Sequence, residues 1–142
     1  MTDRALRLLG IMKKANAIEP GETKTGAAAK QKTAVLLVLA GDSSDNALHR
    51  ITNFSATNES PMVRVPYTKD EIADAIGAEI CSMFAIKDLG FAVSFLRYTE
   101  EERSVSYPEA ELLEEKKKMA RAGRQGKKRS KQGGLIYELG EV

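Results

Sequence analysis

A three-layer α/β/α sandwich with a small mixed sheet of about four strands, followed by a basic C-terminal tail, is the fold these 142 residues predict. Three observations predict it. Apolar strands and helix-patterned segments alternate three times within the first hundred residues, the order that lays helices over a partly parallel sheet. The run AVLLVLA, Ala34 to Ala40, is apolar without alternation, as a strand covered on both faces is. The helix-patterned segments also start and stop at residues suited to helix ends.

Asp3 to Ala15 reads as an amphipathic helix, with Leu6, Leu9 and Met12 at helical spacing and Arg7, Lys13 and Lys14 on the other side. A short strand near Ala17–Glu19 completes a four-stranded sheet. Gly21 to Gln31, rich in small residues, opens a second helix at the Pro20-Gly21 break. After the Ala34–Ala40 strand, DSSDNALHRITNFSA predicts a third helix capped by Asp42, with Ala47, Leu48, Ile51 and Ser55 as its inner stripe. MVRVP is a short strand. TKDEIADAIG carries the capping-box spacing Thr68-x-x-Glu71 and stops at Gly77. ICSMFAI predicts the last strand, and DLGFAVSFLRY the next helix, with Asp88 as its cap.

The charge is +2 overall but unevenly placed. Residues 1–99 carry 12 cations and 11 acids, so the predicted domain is nearly neutral. From Glu100 the charges come in blocks, acidic at 100–102 and 109–115, then nine cations without an acid in KKKMARAGRQGKKRSK at 116–131. Residues 100–142 are therefore expected to form a separate charged tail, with too little apolar surface to belong to the core. Glu109 to Arg121 has helix-forming composition, GRQGKKRSKQGG predicts disorder in the free protein, and the terminal LIYELGEV is an apolar knot suited to a protein partner. The longest apolar run is far short of the ~18 residues of a membrane span, no export leader is visible, and the one cysteine excludes an internal disulfide. A cytoplasmic, membrane-free setting is expected.

Catalysis finds little support. EPGETKTGAAAK has Gly21 and Gly26 at the spacing of a nucleotide-binding loop, but Ala27 and Ala28 stand where that loop needs its lysine and hydroxyl. A glycine-led helix start still points free N–H groups and a positive dipole end outward. Thr23 and Lys24 stand beside it as further donors, although an ordinary exposed helix start reads the same way. Asp42 and Asp88 each follow an apolar strand, where a metal-dependent phosphoryl-transfer site would gather its acids. Helix capping explains both more simply. His49, the one histidine, has no nucleophile patterned around it, and Cys81 reads as a small core residue. No catalytic residue, metal site or cofactor is expected.

The blocks LRLLGIMKKANAIEPGE, LLVLAGDSSDNALHRI, DEIADAIG and FAIKDLGFA, in this order, resemble the small bacterial YlxQ-type proteins. These belong to the L-seven-Ae/L-thirty-e ribosomal protein family, many of whose members bind kink-turn RNA. The resemblance spans Leu6 to Leu96. It implies a three-layer sandwich in which the start of the second helix enters the RNA through a Gly-x-Asn-Glu-x-x-Lys pattern. On this chain that pattern falls on Gly21, Thr23, Lys24 and Ala27, so only the glycine is kept. The family's second contact loop falls on Gly77 to Cys81, with Ala78, Glu79 and Cys81 where Arg or Lys is usual.

The resulting expectation is a non-enzymatic RNA-binding protein, ribosomal-protein-like, with structured RNA such as ribosomal RNA as its partner. Its expected surface is Gly21, Glu22, Thr23 and Lys24 with neighbouring Lys13, Lys14, Lys30 and Lys32, supplemented by Lys127, Lys128, Arg129 and Lys131 of the tail. Flexible cations suit the phosphate backbone and discriminate little between sequences. The alternative is a protein-interaction module that kept the fold and lost the RNA-reading residues.

Overall fold

The computed structural model describes residues 3–133, and side chains through Ala122. The elements run α1 (Arg4–Lys14), β1 (Ile18–Pro20), α2 (Glu22–Gln31), β2 (Leu36–Leu39), α3 (Asp45–Asn58), β3 (Met62–Arg64), α4 (Lys69–Ile76), β4 (Met83–Ile86), α5 (Leu89–Arg103) and α6 (Pro108–Gly133). The expected sheet of four strands is present, in the order β1-β4-β2-β3. β2 pairs with β3 in parallel, but β4 is antiparallel to both β1 and β2. The buried run of β2 therefore reflects helices on both faces rather than a parallel sheet, because burial of a strand is set by its covering layers.

Alternation along the two central strands divides the core. Leu36 and Val38 of β2, with Phe84 and Ile86 of β4, face α1, α4 and α5 together with Leu9, Met12, Ile72, Phe95 and Leu96. Leu37, Leu39, Met83 and Ala85 face α2 and α3 with Ala28, Ala47 and Ile51. Successive side chains of a strand point to opposite faces, so two four-residue strands feed both layers. Each fully buried aliphatic side chain contributes roughly 1.5–3 kcal/mol. α2 approaches α3 closely because Gly26 has no side chain: a Cβ there would stand 3.0 Å from the Phe54 ring. That contact, rather than phosphate binding, accounts for the second glycine of the loop-like spacing.

Three of the four capping expectations match. Thr68 and Glu71 form the reciprocal box, Gly77 ends α4 in the left-handed conformation at φ 74, and Asp88 accepts from the Phe91 N–H at 2.9 Å. Asp42 is the exception. α3 starts later, capped by Ser44, whose hydroxyl accepts from the Ala47 N–H at 3.1 Å. The Asp42 carboxylate instead accepts from the Lys69 N–H, at 2.8 Å, in the first turn of α4. It supports a helix start, but one made adjacent only by the tertiary fold.

The change of composition at Glu100 does not coincide with the end of an element, since α5 runs through it to Arg103. Glu102 accepts from the Arg4 and Ala5 N–H groups at 2.6 and 3.3 Å, capping α1 from across the molecule. Arg103 pairs with Asp3 at 2.5 Å and stacks on the Tyr67 ring at 4.6 Å. α6 turns back along α5, joined by Arg97–Glu114 at 2.5 Å, and buries Ala110 and Leu113 in the core. These residues correct the expectation that everything after Glu100 stays outside the core. The basic stretch expected to be disordered continues α6 as far as Gly133, and LIYELGEV lies outside the described residues.

Two phenols report on this packing. Burial first of all pushes Tyr67 up to about 12, and its hydroxyl also donates to Glu102 at 3.2 Å; burial and the acids Glu109 and Glu100 push Tyr107 up to about 12. Raised folded values mean that the neutral phenols stabilise the fold fully below the ordinary value near 10. That stability is lost as pH rises through about 12. In a phenolate absorbance titration, two of the four tyrosines should ionise only near pH 12. Tyr107→Phe should remove half of that late amplitude. Ionisation of every tyrosine near 10, with the fold intact, would contradict this packing.

Candidate functional site

β1 delivers the chain to Gly21, whose φ of 92 only glycine adopts without strain. Its N–H donates to the Met83 carbonyl at 2.9 Å and its carbonyl accepts from Thr25 at 2.9 Å, so the turn is tied to the sheet on one side and to α2 on the other. The Thr25 hydroxyl donates to the Glu19 carbonyl at 3.3 Å and locks the first turn. α1, α3, α4 and α5 all begin under a side-chain acceptor: Glu102, Ser44, the Thr68 hydroxyl and Asp88. α2 begins without one. The N–H groups of Glu22, Thr23 and Lys24 consequently point outward with no acceptor among the described residues, at the positive end of the helix dipole.

Two loops stand beside this start. Gly41 to Ser44 leaves β2, and Gly77 to Ser82 leads into β4. They are fastened together by the Ser43 hydroxyl and the Ala40 N–H, both donating to the Ser82 carbonyl at 3.1 and 2.8 Å. Arg64 closes the far side by donating to the Ser43 carbonyl at 2.9 Å. β4 begins at Met83 rather than at Ile80, which leaves Ile80 on the loop and 62% exposed. Sequence reasoning placed Ile80 in a strand and missed it; its apolar character was visible, but the late start of the strand was not. Cys81 is buried as expected, its thiol donating to the Met83 carbonyl at 3.1 Å, and burial pushes its pKa up.

Thr23, Lys24 and Ala27 are exposed on α2 beside the two loops, where the kink-turn pattern falls. Glu22 is half-buried and pairs with Arg50 of α3, a partner not anticipated from sequence. The four lysines expected to neighbour this surface do not. Lys13 and Lys14 end α1 before β1 begins, and Lys30 and Lys32 end α2. Because α2 runs back antiparallel to β1, its ten residues carry Lys32 about 15 Å from Gly21. Lys127, Lys128, Arg129 and Lys131 fall on the later turns of α6. His49 is exposed on α3. Among the described residues, no group of three or more His, Cys, Asp or Glu is placed to hold a metal ion, and no helix is long and apolar enough to cross a membrane.

The chain is similar in fold to many solved structures, among them the following two. A protein of unknown function from Bacillus halodurans shares 20% identity at a TM-score of 0.62, over 69% of this chain and 98% of that one. The Giardia lamblia 15.5kD RNA binding protein shares 15% identity at a TM-score of 0.52, over 68% of this chain and 84% of that one. At such identities the likeness is one of fold. No protein-family model matches the chain, and no curated protein matches it in sequence.

Proposed function

We propose that this protein binds structured RNA without catalysing a reaction, and that the start of α2 is the part that enters the RNA. The observation that carries this is the uncapped first turn of α2, presented beside the loop holding exposed Ile80, which the Gly41–Ser44 loop fastens from its other side. Outward N–H groups at a helix start receive a phosphate oxygen whatever the neighbouring side chains are, and an exposed aliphatic side chain beside them suits an unstacked base. The fold shared with the Giardia RNA binding protein supports the reading, as does the YlxQ-type resemblance in the sequence. A cytoplasmic ribonucleoprotein, with ribosomal RNA as the natural candidate, is the setting that follows.

Selectivity is expected to be low. Asn and Glu offer a base edge paired donors and acceptors, whereas Lys24 donates only and Thr23 has one hydroxyl. A gel-shift titration at fixed salt should therefore show weak binding, with little preference for a kink-turn over a helix bearing a plain internal loop. The triple change Thr23→Asn, Lys24→Glu, Ala27→Lys should raise that preference, each good contact contributing on the order of 1 kcal/mol. Lys24→Glu alone should weaken binding, because it removes a cation without completing the pattern. Absence of RNA binding by both the native and triple-variant proteins would favour a protein partner instead.

A further inference from the structure

The lysines that the fold moves away from Gly21 are not scattered. β1 and β2 both begin, and β4 ends, at one end of the sheet, where Ile86 is the partner of both Ile18 and Leu36. Lys13 and Lys14 precede β1, and Lys30 and Lys32 precede β2, so all four exposed lysines lie at this end. α6 reaches the same end along α5. Glu114, the residue after buried Leu113, pairs with Arg97, and Lys117 Nζ, about one turn further on, lies 3.9 Å from the Cβ position at Gly90, in the first turn of α5. Beyond Lys117 the helix continues in that direction with Lys118 and Arg121 exposed. Cations distant in sequence thus share one pole. The acids there are partly engaged, Glu19 with Lys87 at 2.8 Å and Asp88 with the start of α5. Glu59 stands 3.9 Å from Lys32 as an exposed pair worth little, which leaves Lys32 able to turn to a phosphate.

The opposite pole, around the start of α2, has a different balance. Asp42, Asp45 and Glu79 stand among its exposed residues. Of its arginines, Arg50 is paired with Glu22, while Arg64 is bonded to the neutral Ser43 carbonyl and keeps its charge. The strongest attraction for a polyanion therefore lies at the far end from the helix start.

We propose that the pole formed by Lys13, Lys14, Lys30, Lys32 and Lys117 is a second RNA surface, one that grips the phosphate backbone of a duplex without reading its sequence. Two surfaces facing opposite ways at the two ends of α2 do not fit one straight duplex, so the protein holds two segments of one folded RNA. The bridging half of this proposal rests on the assignment of the α2 start above; the backbone surface stands on the charge geometry alone.

The test uses the full chain and a plain RNA duplex with no loop or kink. The native protein should bind it, with a steep dependence on salt. Lys13→Gln, Lys14→Gln, Lys30→Gln and Lys32→Gln together change only exposed side chains, so the melt should stay native. This variant should lose about 3–4 units of the log–log salt slope if each lysine meets one phosphate. A fourfold rise in salt should then weaken it on the order of a hundredfold less than the native protein. The triple change at Thr23, Lys24 and Ala27 should leave the duplex slope unaltered. A native slope in the fourfold variant would overturn the proposal, as would duplex binding lost through the α2 changes instead. So would a native protein that ignores the duplex and binds polyglutamate. If the fourfold variant loses duplex binding while no variant gains kink-turn preference, the backbone surface stands and the α2 assignment falls.

Discussion

Deleting residues 100–142 is expected to abolish cooperative unfolding, whereas deleting 123–142 leaves the melt near native. The first deletion removes Leu113, fully buried in the larger core layer, whose loss alone is worth about 2–5 kcal/mol. It also removes Glu102, the acceptor for the first N–H groups of α1, and a missing cap costs about 1 kcal/mol. Arg103 goes as well, leaving the half-buried Asp3 carboxylate without its partner and the Tyr67 ring uncovered. Leu113 and the cap alone come to about 3–6 kcal/mol before the Asp3 pair is counted, comparable with the whole stability of a small domain. The second deletion leaves every described residue of both core layers in place. Circular dichroism melts of the two truncations decide the matter. A native melt from residues 1–99 would show that α5 and α6 contribute far less than their burial indicates.

Gly41→Ala is the point substitution expected to cost most among the glycines. A Cβ there would stand 2.7 Å from the Val65 carbonyl oxygen and 3.5 Å from Pro66 Cα, both backbone, so no side chain can rotate away. The Gly41 N–H also donates to the Tyr67 carbonyl at 2.9 Å, which holds the two chains at this separation. Forcing a methyl group between them costs about 1–3 kcal/mol or more, in the range of overpacked cores. Gly21→Ala should cost about 1–3 kcal/mol, purely through a backbone at φ 92 and ψ 160 that is essentially reserved for glycine, since nothing lies within 4 Å of its Cβ position. Urea midpoints should therefore fall further for Gly41→Ala than for Gly21→Ala. Equal midpoints for Gly41→Ala and the native protein would mean that the β2 and β3 ends separate readily. That freedom would also loosen the Gly41–Ser44 loop beside the candidate site.

Under the proposed function, the salt-dependent and structure-dependent parts of RNA binding are expected to separate, because the fold places the two proposed surfaces apart. Exposed lysines act through the phosphate charge density, which salt screens. Contacts at the α2 start depend on donor and acceptor geometry, which salt affects less.

Much of the fold was legible in local sequence. The Leu6, Leu9 and Met12 stripe, the Thr68–Glu71 box, the stop at Gly77 and the cap at Asp88 all depend on residues within about one helical turn of each other. Their signals therefore need nothing distant to be read. The glycine-led start of α2 was visible for the same reason. What the tertiary structure alone decided involves partners far apart in the chain. Asp42 serves α4 rather than α3, because a carboxylate accepts from whichever free N–H the fold brings near. Glu102 and Arg103 complete α1 from about a hundred residues away, and Leu113 enters a core that composition assigned to the first ninety-nine. Lys13, Lys14, Lys30 and Lys32 looked adjacent to Gly21 along the sequence, yet β1 and α2 run in opposite directions and carry them to the other end. Sequence proximity is a one-dimensional distance. Charge and capping act through space, and only the antiparallel course of strand and helix determined which of these groups meet.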